Sequence, residues 1–258
     1  MQGQWRSIWV IAWSTWREAV RSRLIWVGAL GSLALVMMSI LAASVAIYER
    51  GRLVVDVGLA SASGLSSILA LASTIALVAR DLGGRQAYPL LVRPLSRGSY
   101  LTGRFLGLWA TMAAVVACQG LTTAAVTYLF VGQVPAALAP ALLLTVGEMA
   151  IVVAVSLLTA TLISPALAAA AAATLLIAGN LSAELAEMAA RQTGPTAQLL
   201  SGLHQILPDL GQLSLRAQAA NDLPVPAGFV AVGMLYAAAY SLTALTGAIL
   251  LFRRRAAL

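Results

Sequence analysis

The side chains capable of chemistry are few in this chain, and their spacing does not assemble a reaction centre. A Walker A loop needs a lysine after its glycines to reach nucleotide phosphates. All 16 basic residues here are arginine, so that motif is excluded. The run Gly64-Leu65-Ser66-Ser67 begins like the Gly-x-Ser-x-Gly turn that exposes a nucleophilic serine, and His204, the one histidine, would have to be its base. The second glycine falls on Ile68, however, and His204 lies in a distant loop. A metal site needs several His, Cys, Asp or Glu ligands at close spacing. Asp81 stands alone in its segment, and no such cluster is legible elsewhere. An enzyme is therefore not expected, nor a cofactor bound by this chain.

Glu148 is the one acidic residue in the middle of a long apolar run. A charged carboxylate at the centre of a membrane helix costs about 2.5–3.5 kcal/mol unless it is protonated, paired or facing water. It reads either as a functional group or as a hydrogen-bonded link between helices, with Gln119 as a partner. Upstream, Ser61, Ser63, Gly64, Ser66, Ser67, Ser73 and Thr74 form a small, polar run, and Ala168–Ala173 is an unbroken alanine run. Small residues let helix backbones approach closely. The same residues, with Asn180, would also suit the wall of a polar conduit. Candidate path residues are thus Ser63, Ser66, Ser67, Thr74, Glu148 and Asn180.

The elements that must position these groups follow from composition. A chain of 258 residues that is 60% hydrophobic and 10% charged, with mean hydropathy +0.90, carries more apolar surface than a soluble core can bury. It reads as an all-α integral membrane protein. Six runs approach the roughly 20 apolar residues a spanning helix needs: about 24–47, 59–79, 101–131, 136–164, 165–188 and 227–252. Strand-like alternation is missing, which argues against a membrane barrel. The lone Cys118 falls in the third run, where it reads as a small packing residue.

Arginine placement sets the expected orientation. With both termini cytoplasmic, twelve arginines fall inside, and only Arg50, Arg52, Arg191 and Arg216 fall outside. The net charge of +7 is then largely topology, and no nucleic-acid partner is implied. Within the inner set, residues 80–107 carry Arg80, Arg85, Arg93, Arg97 and Arg104 against one acid, Asp81, among prolines and glycines. That composition predicts a bent basic loop, centred on 80–100, able to dock a partner.

Residues 1–23 form a separate amphipathic element before the six-helix domain of 24–258. Trp5, Ile8, Trp9, Ala12, Trp13, Trp16 and Val20 gather on one helical face opposite Arg6, Ser14, Arg17, Glu18 and Arg21, with Val10 and Ile11 on the wrong side. Tryptophan and arginine on such a helix predict a position in the membrane interface. No cleavable signal peptide fits these residues. Near the other end, Asn180, Glu184, Glu187 and Arg191 share a face that suggests the fifth helix continues beyond the bilayer. An outer loop over 190–226 follows, whose Leu200, Leu203, Ile206, Leu207, Leu210, Leu213 and Leu215 supply apolar surface for a short outer helix.

The segments Arg80-Asp81-Leu82, Leu90-Leu91-Val92-Arg93-Pro94-Leu95-Ser96-Arg97 and Tyr100-Leu101-Thr102-Gly103-Arg104 resemble the cytoplasmic loop of type-2 ABC exporter permeases. Gly83-Gly84 stand where that family commonly has acidic residues. Leu207-Pro208-Asp209-Leu210 is similar to the Leu-Pro-Asn-Leu stretch before the family's last helix. The resemblance implies a permease of the bacterial plasma membrane that pairs with a second permease, as homodimer or pseudo-symmetric heterodimer, and binds separate ATP-binding subunits carrying ATP and Mg. It implies an ATPase contact formed by Arg17, Arg21, Asp81, Arg85, Arg93, Pro94, Ser96, Arg97 and Tyr100, and a path lined by the second and fifth helices. Two other readings stay open: an ATP-independent secondary transporter, and a membrane scaffold or assembly protein that transports nothing.

Overall fold

The computed structural model describes residues 2–45, 50–83, 97–182, 202 and 207–255, and among these the chain is helical with no strand. The helices are α1 (Gln2–Val20), α2 (Arg23–Val45), α3 (Arg50–Gly83), α4 (Arg97–Val131), α5 (Leu138–Leu162), α6 (Pro165–Asn180), α7 (Arg216–Ala220) and α8 (Ala227–Arg255), with a 3₁₀ turn at Gly211–Leu213. Five of them, α2, α3, α4, α5 and α8, are long and apolar enough to cross a membrane. The chain thus has the make-up of a multi-pass membrane protein.

Local chemistry sets the boundaries. Gly132 ends α4 in the left-handed region (φ 77°), its N–H bonded to the Tyr128 carbonyl at 2.8 Å, a cap that glycine adopts without steric cost. Between α5 and α6, Ile163 and Ser164 are both extended, because a residue before proline is pushed out of the helical region, and Pro165 then starts the next helix. After α7, Asp222 takes the left-handed conformation (φ 51°), and Leu223 N–H reaches back to the Gln218 carbonyl at 2.9 Å. The Asp222 carboxylate meanwhile accepts the Ala136 N–H at 3.2 Å, tying this segment to the α4–α5 turn.

Packing places α5 at the centre. In its most apolar window 78% of residues are buried, against 28% for α2 and for α8, which leave Val27, Leu30, Met38, Leu235, Leu242 and Leu250 uncovered. An apolar helix can leave such side chains bare only where the solvent is itself apolar. Helices α3, α5 and α8 run in one direction and α2 and α4 in the other: Gly28 meets Leu69 and Gly31 Leu65, Gly51 meets Val131 and Gly58 Thr123, Gly120 meets Leu142 and Trp109 Val146, while Gly233 meets Leu144 and Gly247 Leu158. The α3–α4 connection and the α1–α2 junction therefore share one end of the bundle. The α4–α5 turn and residues 207–226 occupy the opposite end.

Several sequence expectations are corrected. Helix α3 begins at Arg50, well before the expected 59, and reaches Gly83, while α4 starts at Arg97; both ends of the expected 80–100 loop are thus helical. Helix α6 stops at Asn180, short of the expected 188, and the Asn180 side chain bonds back to the Leu176 carbonyl. Glu184, Glu187, Arg191, Leu200, Leu203, His204 and Ile206 lie outside the described residues. Cys118 faces outward instead of packing inside. The apolar residues of the outer segment are covered as expected, with Leu207, Leu210, Leu213 and Leu215 buried, but by a 3₁₀ turn and a five-residue helix.

Candidate functional site

Helix α1 lies across α4 by a face that is rotated from the expected apolar one and shares Ala12 with it. Its buried positions are Ala12, Thr15 and Ala19, while Trp5, Trp9 and Trp13 are exposed. Gly103 and Gly107 make the contact possible. A side-chain carbon at Gly103 would sit 2.7 Å from the Ile11 Cβ, and one at Gly107 2.5 Å from the Ala12 carbonyl oxygen. Ile11, assigned to the wrong side by periodicity, is a packing residue. The tryptophan face is free for another environment.

That crossing brings four charged side chains together at the end of the bundle. Tyr100 and Arg104, one helical turn apart on α4, share a face, with the guanidinium 5.5 Å from the ring centroid. Arg104 Nη1 donates to Glu18 Oε2 at 2.9 Å and to Thr15 Oγ1 at 3.1 Å, and Nη2 to Asp81 Oδ2 at 2.7 Å. Tyr100 also donates its hydroxyl to Asp81. Arg80 completes the set through Glu18 Oε1 at 2.5 Å. Glu18 and Asp81 each stand near a helix C-terminus, where the backbone carbonyls disfavour negative charge. Arg104, only 13% exposed, offsets both. One guanidinium fork thereby joins α1, α3 and α4.

A second polar cluster lies inside the bundle. Glu148 on α5 is 2% exposed, and its Oε1 accepts the Ser63 and Ser67 hydroxyls of α3 at 3.1 and 3.4 Å. Its expected partner, Gln119, instead accepts the Ser66 hydroxyl at 3.2 Å, leaving the buried Gln119 Nε2 without a partner. The serine run of α3 therefore forms two rungs, one to α5 and one to α4. Thr74 is satisfied within its own helix by the Ala70 carbonyl at 2.6 Å. At the opposite end, Arg216 meets Asp56 in a bidentate pair, both contacts 3.1 Å, beside a cavity of about 710 Å³ that Asn180 also lines.

Of the expected ATPase-contact residues, Arg17 and Arg21 are exposed, and Asp81 and Tyr100 are engaged in the Arg104 network. Arg97 opens α4. Arg85, Arg93, Pro94 and Ser96 lie outside the described residues. The partnerships of Glu18, Arg104, Asp56 and Arg216 went unread in sequence. One signal was available: Glu18 is the sole acid among residues 1–23, and Asp81 the sole acid among 80–107, each set in an arginine-rich stretch. Among the described residues no group of three or more His, Cys, Asp or Glu could hold a metal. The arrangement fastens helices by charge.

No protein-family model matches the chain, and no curated protein matches it.

Proposed function

We propose that this chain is the membrane-spanning subunit of an ATP-driven ABC transporter, an exporter permease of the type-2 class, which moves its substrate when a separate subunit binds and hydrolyses ATP. In this reading α6 is the fifth of six spans, although its 16 residues extend only about 24 Å against a hydrocarbon core of about 30 Å. Both termini face the cytoplasm of a bacterial cell, on the arginine asymmetry, and a second permease completes the assembly.

The observation that carries the reading is the Arg104 network. Residues 84–96, the core of the segment that resembles a docking loop, are flanked by two helix ends that this guanidinium clamps to each other and to α1. A partner pressing on the segment would displace α1, α3 and α4 as one unit. Helix α3 would carry that displacement inward, since its Ser63 and Ser67 hold Glu148 of the central α5. A partner that binds one position of this unit more tightly in its ATP-bound form biases the membrane helices by that difference in affinity. The polar residues of α3 back the wall toward α4 and α5, while Gly64 and Ile68 face outward, so a path along α3 is lined by the latter in this conformation.

The test is co-purification of an ATP-binding subunit with the tagged chain from its native membrane, followed by the Arg93→Ala, Arg97→Ala double variant. The expected results are an ATPase activity that rises in the complex and a complex that falls apart in the variant. If the variant retains its partner and ATP-stimulated transport at wild-type level, the docking assignment fails. If no ATPase is retained by the wild-type chain, the transporter reading fails with it.

A further inference from the structure

At the same end of the bundle, sharing Glu18 and Arg80 with the Arg104 clamp, a cavity of about 750 Å³ opens between the last turns of α1, the start of α2, the last turns of α3 and Leu108 of α4. Arg17, Arg21 and Arg80 line it with a single carboxylate, Glu18. Glu18 is already occupied by Arg80 and Arg104. Among the described residues no carboxylate pairs with Arg17 or Arg21, and Arg17 lies 5.2 Å over the Trp13 ring. The cavity wall also carries the Ser73 hydroxyl, a buried group with no hydrogen-bond partner. A buried hydroxyl left unpaired costs free energy comparable to a lost hydrogen bond. A ligand oxygen would satisfy it.

Depth identifies the ligand. Trp13 and Trp26 flank this region, both half or more exposed, and Trp26 anchors α2 to the end of α1 through the Val20 carbonyl at 2.9 Å. Such rings rest at the level of lipid headgroups. A cationic cavity at that depth, with arginine forks suited to phosphate oxygens, faces the phosphodiester of a phospholipid. We infer that this cavity binds the headgroup of an anionic phospholipid, with Arg17 and Arg21 on its phosphate and Ser73 donating the third hydrogen bond. The bound lipid bridges α1 to α2 and α3, adding a second fastening to the one Arg104 makes with α4. This inference does not rest on the ATPase reading.

The test uses the full chain purified in detergent and titrated with phosphatidylglycerol or phosphatidylcholine, with bound lipid counted by native mass spectrometry. Phosphatidylglycerol should be retained about tenfold better than phosphatidylcholine. Arg17→Gln with Arg21→Gln should lower that retention by about tenfold. Ser73→Ala should lower it by about twofold without touching any charge, which keeps the idea testable if the double variant folds poorly. Arg6→Gln removes a charge from the same helix away from the cavity and should change nothing. Equal retention of the two lipids, or an equal effect of Arg6→Gln and the double variant, would show general charge attraction and overturn the site. Displacement of the lipid by millimolar inorganic phosphate would assign the cavity to a soluble anion instead. Loss of ATPase co-purification in the double variant with lipid binding intact would make these arginines a protein contact and overturn the lipid assignment.

Discussion

The two ends of the bundle use arginine to hold helices together, and they do so at different depths. At one end Arg104 is 13% exposed and serves two carboxylates, a hydroxyl and an aromatic ring across three helices. At the other, Arg216 serves Asp56 alone, with both side chains more than 40% exposed. Water screens the second pair and can replace either partner. The first cannot lose its guanidinium without stranding Asp81, and without leaving Glu18 to the exposed Arg80, at helix ends that already disfavour negative charge. The difference teaches where the molecule is built to move as a unit and where it can yield.

Arg104→Ala gives the largest expected effect on this contrast, a loss of about 3 kcal/mol in the stability of the α1–α4 end, because the half-buried Asp81 loses its only cation and Glu18 keeps only Arg80 among the described residues. Thermal unfolding in detergent would read it, and Arg104→Lys should recover only part, since an ammonium cannot reproduce the fork. A loss no greater than that of Asp56→Asn would erase the contrast. Gly107→Val tests whether packing contributes beside charge: its side chain collides with the Ala12 carbonyl and Thr15, at a cost of about 2 kcal/mol. Protease accessibility of α1 should rise in parallel. Replacing Ser63 and Ser67 together by alanine probes the interior link, where hydrogen bonds between membrane helices are worth about 1 kcal/mol. The unfolding midpoint should fall by less than in either the Arg104 or the Gly107 variant. Asp56→Asn should cost about 0.5 kcal/mol or less, and that loss should shrink in high salt. A larger, salt-independent loss would mean that the exposed pair is a fastening of the same kind as Arg104.

The sequence made the apolar helices legible because membrane-length runs and proline or glycine breaks are local signals. Pro165 marked the α5–α6 boundary to the residue for that reason. The packing face of α1 was not legible. Both the tryptophan side and the Ile11–Thr15 side are helical stripes, and only the presence of Gly103 and Gly107 on a distant helix decides which one meets protein. Glu148 was recognisable as a residue needing a partner, yet its partner was misassigned. Gln119 and the α3 serines were both within reach of a plausible packing, and the difference lies in how α3 is rotated between α4 and α5. The Arg104 clamp depends on contacts between residues 19 to 89 positions apart, for which charge pattern supplies candidates but no pairing.

The central position of α5 has a consequence for how the protein is made. One face of α5 packs on α8, with Gly147 against Ala237 and Leu144 against Gly233. Helix α8 is completed roughly 90 residues after α5, on the order of 5–20 s of synthesis at ribosomal speed. For that interval the innermost helix of the finished protein has lipid, or an assisting membrane factor, along the side that α8 will cover. The Ala136 N–H likewise waits for Asp222 before the α4–α5 turn is complete. A chain truncated before Ala227 would thus lose more than one span, since the core itself is closed only by α8, made well after α5.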